Sequence, residues 1–408
     1  MPTAQNRPAC RTGRQRPQKP QTKPKSRPAC RTGRQNKTSL FDQFREFLIN
    51  PNSPQTTQDS VPYTKIHRDG IAELQNGTYS KTIEFGDITY HLAQKDDQYR
   101  IFKAYMSILN YFDETMDVQL SCVNSYISLA ELAQNMEIFK RSRNSKYHWE
   151  FANIINSQLQ KGNNSLIKRK FLTVAVKAKN LKEGKARLER IELDTVNAFG
   201  TLEIRAKGLN GAERLALLHK QLNPHIRKNL ALPQNWHERN SKDFIAPKSL
   251  DFSNTTYCKL GENFCATYFV EVKANQLDDK MLSKILEVNA SLAVNIHFKA
   301  MEQEKAAQKI KNKLSDIRAK IADIQKRNSG VGVDMSMISP ELRENEKEAV
   351  SLLNDVTSRD ERLFLATILI TATAPTKRKL DDIISNLQGI GRQFQKLYPT
   401  KKYDIIKT

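Results

Sequence analysis

The 408-residue chain has no Gly-x-x-x-x-Gly-Lys-Ser/Thr string. It therefore lacks the loop whose backbone N–H groups cradle nucleotide phosphates while a Lys and a hydroxyl serve the terminal phosphate and Mg²⁺. The nearest fragments are Gly184-Lys185-Ala186, without the first Gly and the hydroxyl, and Gly330-Val331-Gly332, without the Lys. Cysteine is scarce: Cys10, Cys30, Cys122, Cys258 and Cys265 form an odd set with no Cys-x-x-Cys pair, which indicates neither a disulfide framework nor a zinc site. A reducing, cytoplasmic setting fits that usage. Cys258 and Cys265 straddle a turn at Gly261 and could face each other across a hairpin, where a small, buried, apolar role suits them best. None of the seven histidines falls in an H-x₃-H or HExxH pattern; His219, His225 and His237 are merely neighbours in a helix-to-loop region. Nor is there a Gly-x-Ser-x-Gly elbow. The expectation is a chain that is not an enzyme and that holds neither cofactor nor metal. Long apolar runs are missing as well. The longest, Leu363 to Ala374, is broken by threonines and far too short to span a bilayer, and the basic N-terminus has no apolar h-region. A soluble or peripheral protein without signal peptide or transmembrane segment is expected.

What the chain has in excess is positive charge, +22 overall, which favours anionic partners such as nucleic acid or acidic lipid. Half of it sits in residues 1–41, where Arg7, Arg11, Arg14, Arg16, Lys19, Lys23, Lys25, Arg27, Arg31, Arg34 and Lys37 occur with no acidic residue. The same stretch carries a perfect nonapeptide repeat, Arg-Pro-Ala-Cys-Arg-Thr-Gly-Arg-Gln, at 7–15 and 27–35. Rich in Pro, Gln and cations and poor in large apolar residues, such an arm buries too little surface to offset its ordering entropy, so 1–38 is expected to be disordered. Its cations would contact a polyanion, DNA or an anionic leaflet, with little regard to sequence. A solvated tail without a specific partner is the plainer alternative.

A short amphipathic segment with Leu40, Phe41, Phe44, Phe47 and Leu48 and a linker fill 39–62. From there the periodicity is that of an α+β protein. The first unit, 63–248, opens with a hairpin around Asn76-Gly77 between Ile71–Gln75 and Thr78–Phe85, then a strand at Ile88–Ala93. It continues with a helix at Asp96–Phe112, a strand at Met116–Val123, a helical stretch at Ser145–Gln160, a strand at Lys170–Lys177, a helix at Lys182–Phe199 and a strand at Thr201–Lys207. The second unit, 249–408, repeats the order. A hairpin of Thr256–Lys259 and Phe264–Val272 leads to a helix at Asp278–Glu287 and a strand at Leu292–Ala300. Two helices at Met301–Arg327 and Glu341–Val356, a strand at Leu363–Thr373 and a helix at Lys377–Lys396 complete it. Ile108-Leu109 and Val118-Gln119-Leu120 overlie Ile285-Leu286 and Val294-Asn295-Ile296, and Phe171–Val174 overlies Phe364–Thr367. The pattern predicts an internal duplication with a helical arm, about 301–356, inserted in the second copy; shared hydrophobic patterning without common origin is the alternative.

Along that arm Ala307, Ile310, Leu314, Ile317, Ile321 and Ile324 recur at steps of three and four, the spacing of a coiled-coil seam. Ser339-Pro340-Glu341 is a good start for a return helix. Ile310, Leu314, Ile317, Ile321 and Ile324 are therefore read either as a seam packed on that return helix or as a docking face for another subunit.

From Ser60 to Phe394 the text of the chain resembles the N-terminal region of the VirB-four class of conjugation ATPases, the TraE-like type. The resemblance is carried by Asp69-Gly70-Ile71, Asn76-Gly77-Thr78-Tyr79-Ser80-Lys81-Thr82-Ile83, Asp87-Ile88-Thr89-Tyr90-His91-Leu92-Ala93-Gln94 and Leu109-Asn110-Tyr111-Phe112-Asp113. Further on it rests on Lys161-Gly162-Asn163-Asn164, Ala186-Arg187-Leu188-Glu189-Arg190-Ile191-Glu192, Leu209-Asn210-Gly211-Ala212-Glu213-Arg214-Leu215, Asp243-Phe244-Ile245-Ala246-Pro247 and Ser358-Arg359-Asp360-Glu361-Arg362-Leu363-Phe364. It implies a component of a type IV secretion or conjugation machine at the cytoplasmic face of the membrane, making contacts with other transfer subunits, with itself and with a separate motor domain. The family continues into a RecA-like motor where this sequence ends at Thr408, so ATPase activity does not carry over to any position here. The expected function is thus a non-catalytic assembly part. The rivals are a stand-alone nucleic-acid-binding accessory of a mobile element and an inactive truncated remnant. On the nucleic-acid-binding reading, deleting residues 1–37 is expected to abolish duplex-DNA binding at low salt in a mobility-shift titration; unchanged affinity would remove the arm from DNA binding.

Overall fold

Described in the computed structural model are residues 56–88, 90, 94–126, 166–226, 230–271, 279–331, 339–359, 361–394 and 396–399. The chain forms β1 (Tyr63–Ile66), β2 (Ala72–Leu74), β3 (Thr78–Phe85), α1 (Lys95–Tyr111), β4 (Met116–Tyr126), β5 (Leu166–Lys177), α2 (Leu181–Gly200) and β6 (Ala206–Gly208). Then come α3 (Gly211–Leu222), α4 (Lys242–Ile245), β7 (Leu250–Asp251), β8 (Cys258–Leu260), β9 (Asn263–Glu271), α5 (Asp279–Glu287) and β10 (Ser291–Ala300). The chain continues through α6 (Gln303–Val331), α7 (Pro340–Ser358), β11 (Phe364–Ala374), α8 (Lys377–Phe394) and β12 (Lys396–Pro399). The fold class is α+β, as the periodicity predicts.

Among the described residues, all twelve strands join one antiparallel sheet in the order β1-β2-β3-β5-β4-β10-β11-β9-β8-β7, with β6 beside β3 and β12 beside β9. Each strand has a counterpart six places later with equivalent neighbours, and β4 and β10 pair with each other at the centre. Two copies of one βαββαβ unit, each preceded by a two-stranded edge, are thus joined edge to edge about a pseudo-two-fold axis. The register locates that axis: Leu120 on β4 lies directly opposite Ile296 on β10, its equivalent 176 residues later.

Packing follows the same operator. Val174 on β5 and Ile370 on β11, 196 residues apart, are buried in the first and second cores respectively. Residues Gly184, Leu188, Ile191 and Thr195 on the inner face of α2 match Leu380, Ile384, Leu387 and Gly391 on α8 at the same offset. The two central strands are long enough to serve both cores. Met116 and Val118 of β4 belong to the first and Cys122 to the second, while Leu292 and Val294 of β10 belong to the second and Phe298 to the first.

The overlay of Phe171–Val174 on Phe364–Thr367 is corrected by the ladder. Pairing through β4·β5 and β10·β11 places Phe171 on Thr367 and Val174 on Ile370. An odd shift of three residues would turn every core-facing side chain of the strand outward. The strand expected at Thr201–Lys207 is also shortened to Ala206–Gly208, because Glu203 takes a left-handed φ of 59° in a turn that drops Leu202 and Ile204 into the first core. Ile88 and Tyr90 are not in a strand. The rest of Ile88–Ala93, the Ser145–Gln160 stretch, the Leu40–Leu48 segment and the basic arm lie largely or wholly outside the described residues. Asn76 and Gly77, at φ of 59° and 66°, make the tight β2–β3 connection that the Asn-Gly pair predicts.

The connection between β10 and β11 is the α6–α7 hairpin; the corresponding connection of the first repeat, residues 127–165, lies outside the described residues. On the sheet face opposite the four repeat helices, α3 closes a smaller cluster in which Leu209 and Leu217 meet Val123, Phe171 and Ala293. If the duplication governs packing, Ile191→Ala and Leu387→Ala should each lower unfolding free energy by about 2–5 kcal/mol in urea titrations followed by circular dichroism. A cost near zero at either site would break the equivalence.

Candidate docking surfaces

Four of the stretches singled out in the sequence, Asp69-Gly70-Ile71, Asn76–Ile83, Ala186–Glu192 and Leu209–Leu215, meet at one place. Asp69-Gly70 turns the chain between β1 and β2, and there Arg214 of α3 arrives from a distant stretch of sequence. Its guanidinium donates from Nη1 to the Gly70 carbonyl at 2.8 Å and to the Ser80 carbonyl at 2.6 Å, and from Nη2 to Ser80 Oγ at 2.7 Å. Complete burial pulls Arg214 down to about 10, so it stays cationic at neutral pH. Beside it Lys185 Nζ lies 2.6 Å from Asp69 Oδ2, and Lys81 Nζ lies 3.1 Å from Glu192 Oε2 while donating to the Asp69 carbonyl. Burial alone would raise the Asp69 carboxyl. The hydrogen bond and charge of Lys185, with the Ile71 N–H and Lys81, overturn that effect and hold it below its ordinary range. Helix α3 enters this clasp through a capping box, with Asn210 and Glu213 exchanging side-chain-to-backbone bonds. Glycine is required at the crossing: a Cβ on Gly70 would come 1.9 Å from the Leu209 carbonyl oxygen.

The clasp is mechanical. Its donors and acceptors satisfy one another across β1–β3, α2 and α3, and it sets no nucleophile beside a base. Among the described residues no group of His, Cys, Asp and Glu could hold a metal ion.

The predicted arm is present. At 1.5 Å per residue the 29 residues of α6 reach about 43 Å. Ile310, Leu314 and Ile317 are buried and Ile321 and Ile324 half-buried. Ala306 and Ile310 cluster with Val356 of α7, with Leu353 and Leu363 packed against them. Arg318 Nε pairs with Glu346 Oε1 at 2.8 Å, and Gln303 Nε2 donates to the Val356 carbonyl at 2.8 Å. At its base the seam is thus closed by the return helix, the first of the two readings left open for it. The helices differ in charge: α6 carries eight cations against three acids, and α7 five acids against two cations. At the root of the arm Arg362 donates from Nε to the Asn110 carbonyl at 2.8 Å and lies 3.6 Å from Glu114, tying the hairpin to the end of α1 in the other repeat. A cleft of about 290 Å³ opens there, lined by Glu114, Glu302, Glu361 and Arg362 among others.

A surface that the sequence reading did not single out lies on α1. Tyr99, Phe102 and Leu109 are 64%, 56% and 40% exposed, with half-buried Met106 between them, at steps of three and four. The opposite side of the helix, Ile101, Ile108 and the following Phe112, fills the first core. Because Ile108 corresponds to Ile285, the equivalent helix α5 has Asp279 and Ser283 where α1 has Phe102 and Met106. The scaffold therefore does not demand apolar residues at those places. Periodicity could have exposed this: apolar residues cover well over half the circumference of α1, leaving only the face of Arg100, Lys103, Ser107 and Asn110 polar, which is more than one buried face needs.

The basic residues Arg7, Arg11, Arg14, Arg16, Lys19, Lys23, Lys25, Arg27, Arg31, Arg34 and Lys37 lie outside the described residues. Within those that are described, no helix is long and apolar enough to cross a membrane. No family model matches the chain, and no curated protein matches it.

Arg214→Ala would strand two buried carbonyls and is expected to cost about 2–4 kcal/mol of stability in denaturant titration, whereas substitution of exposed Arg190 should cost almost nothing. Since Asp69 titrates below its unfolded value of about 3.9, its contribution is present above that pH and lost as pH falls through the depressed folded value. The stability deficit of Lys185→Met should accordingly be visible at pH 6 and shrink below about pH 4.

Proposed function

We propose that this chain is the non-catalytic, N-terminal type of region of a VirB-four-class conjugative-transfer ATPase, acting in assembly and docking at the cytoplasmic face of a DNA-transfer machine. Nucleotide turnover would belong to a P-loop domain outside these 408 residues. The ordered resemblance from Ser60 to Phe394 supports the class. The observation that carries the docking role is the outward apolar stripe of α1, Tyr99, Phe102, Met106 and Leu109, set against the polar Asp279 and Ser283 of its equivalent α5. An exposed apolar stripe of this kind marks a candidate protein–protein contact. The steps of three and four suit an amphipathic helix of another transfer subunit. The charged α6–α7 arm, tied by Arg362 to the end of the same helix, offers a second contact nearby in the fold.

The test is co-expression with the other transfer proteins and the motor, followed by affinity capture. The chain should bring down at least one of them, and the double variant Tyr99→Ser, Phe102→Ser should reduce that capture by about tenfold or more with an unchanged circular dichroism spectrum. Purification of the wild-type chain alone, with neither motor nor membrane subunit, would overturn the assignment. Capture insensitive to the double variant would move the contact elsewhere on the chain.

A further inference from the structure

Outside these surfaces, one pair of thiols takes no part in the proposed docking. Cys258 on β8 and Cys265 on β9 are direct cross-strand partners in the hairpin turned by Gly261, whose φ is 61°. Both are 1% exposed, in a small cluster with Leu260 roofed by Leu250 and Phe252. The two thiols meet, and that contact together with burial raises Cys265 well above the ordinary thiol range. Both are free. Directly opposed residues of an antiparallel pair hold their Cα atoms about 4.5–5.5 Å apart, inside the window of about 4.4–6.8 Å that a disulfide spans.

The fold does not ask for sulfur at this place. Cys265 pairs with Thr373 as Thr78 pairs with Lys177, and Lys177 and Thr373 are equivalents 196 residues apart. The first repeat thus builds the same strand with a threonine. The roof over the thiols includes a short strand at the edge of the sheet. Strand β7 has two residues, Leu250 and Asp251, which pair with Leu260 and Lys259 at the sheet edge. Such an element opens at a small fraction of the global unfolding free energy.

We propose that Cys258 and Cys265 are an oxidation site, closing to an intrachain disulfide by exchange with a low-molecular-weight disulfide when β7 lifts. One cysteine thiolate attacks the small disulfide, forming a mixed disulfide and releasing one small thiolate, which takes up the proton that the cysteine lost. The second cysteine thiolate then attacks the protein sulfur of that mixed disulfide and expels the second small thiol, again with proton balance. Two protein thiols are oxidised to one disulfide, and the small disulfide is reduced to two thiols. Burial of both thiols, with the raised pKa of Cys265, keeps the pair inert while β7 is seated, so exchange follows opening.

The experiment uses the full native chain. It is incubated with glutathione disulfide, its remaining thiols are alkylated, and it is digested for mass spectrometry. Expected is a peptide linking Cys258 to Cys265, two hydrogens lighter than the dithiol and restored by dithiothreitol. In Cys258→Ser, Cys265 should halt as a glutathione mixed disulfide, and in Cys265→Ser the same should hold for Cys258, each variant first shown folded by circular dichroism. Full alkylation of both cysteines in native protein would overturn the proposal. So would a link that forms only in denaturant, or one that joins either cysteine to Cys10, Cys30 or Cys122.

Discussion

Gln119 of β4 donates from Nε2 to Asn295 Oδ1 of β10 at 3.0 Å, one residue from the point where Leu120 faces Ile296. The two partners are themselves equivalents, 176 residues apart. This central antiparallel ladder, running from Val118–Phe298 to Asn124–Leu292, is the constraint on which the molecule depends. Each repeat would otherwise present a long edge strand with a row of unpaired N–H and C=O groups. Pairing the two edges removes both hazards and lets one strand of each repeat complete the core of the other. A slip of one residue there would turn Val118, Leu120, Val294 and Ile296 from the helix-covered face to the opposite one.

Around that ladder the copies have diverged where the ladder does not constrain them. Along α1 and α5, Ile108 and Leu109 keep apolar counterparts in Ile285 and Leu286, whereas Phe102 and Met106 are replaced by Asp279 and Ser283. Thr78 and Cys265 hold one position with different chemistry. The clasp of Arg214, Gly70 and Ser80 belongs to the first repeat and its α3 extension. An internal duplicate thus acts as a control within one molecule. Shared features report what the fold needs, and unshared ones point to roles beyond it, docking for the α1 stripe and oxidation for the cysteine pair.

The arm shows how a seam can be read correctly and still be incomplete. Apolar steps of three and four require that something cover them, and both α7 and a foreign helix meet that need. The choice between them is made by loop length and by charge: α7 returns with acids against the cations of α6, as in Arg318 with Glu346. Intramolecular closure of a short connection costs far less entropy than recruiting a separate chain.

What the sequence determined by itself is local in origin. Helix and strand periods, the Asn76-Gly77 turn, the α+β order and the doubling of that order all follow from side-chain spacing within a few residues. Only tertiary structure decided which strands pair, that the overlay at Phe171 shifts to Thr367 and that Arg214 crosses to Gly70. Those outcomes depend on register between strands and on contacts between residues far apart in the chain. No local hydrophobic pattern specifies them, because several pairings bury the same apolar surface and the choice falls to the polar groups and backbone bonds that only one arrangement satisfies.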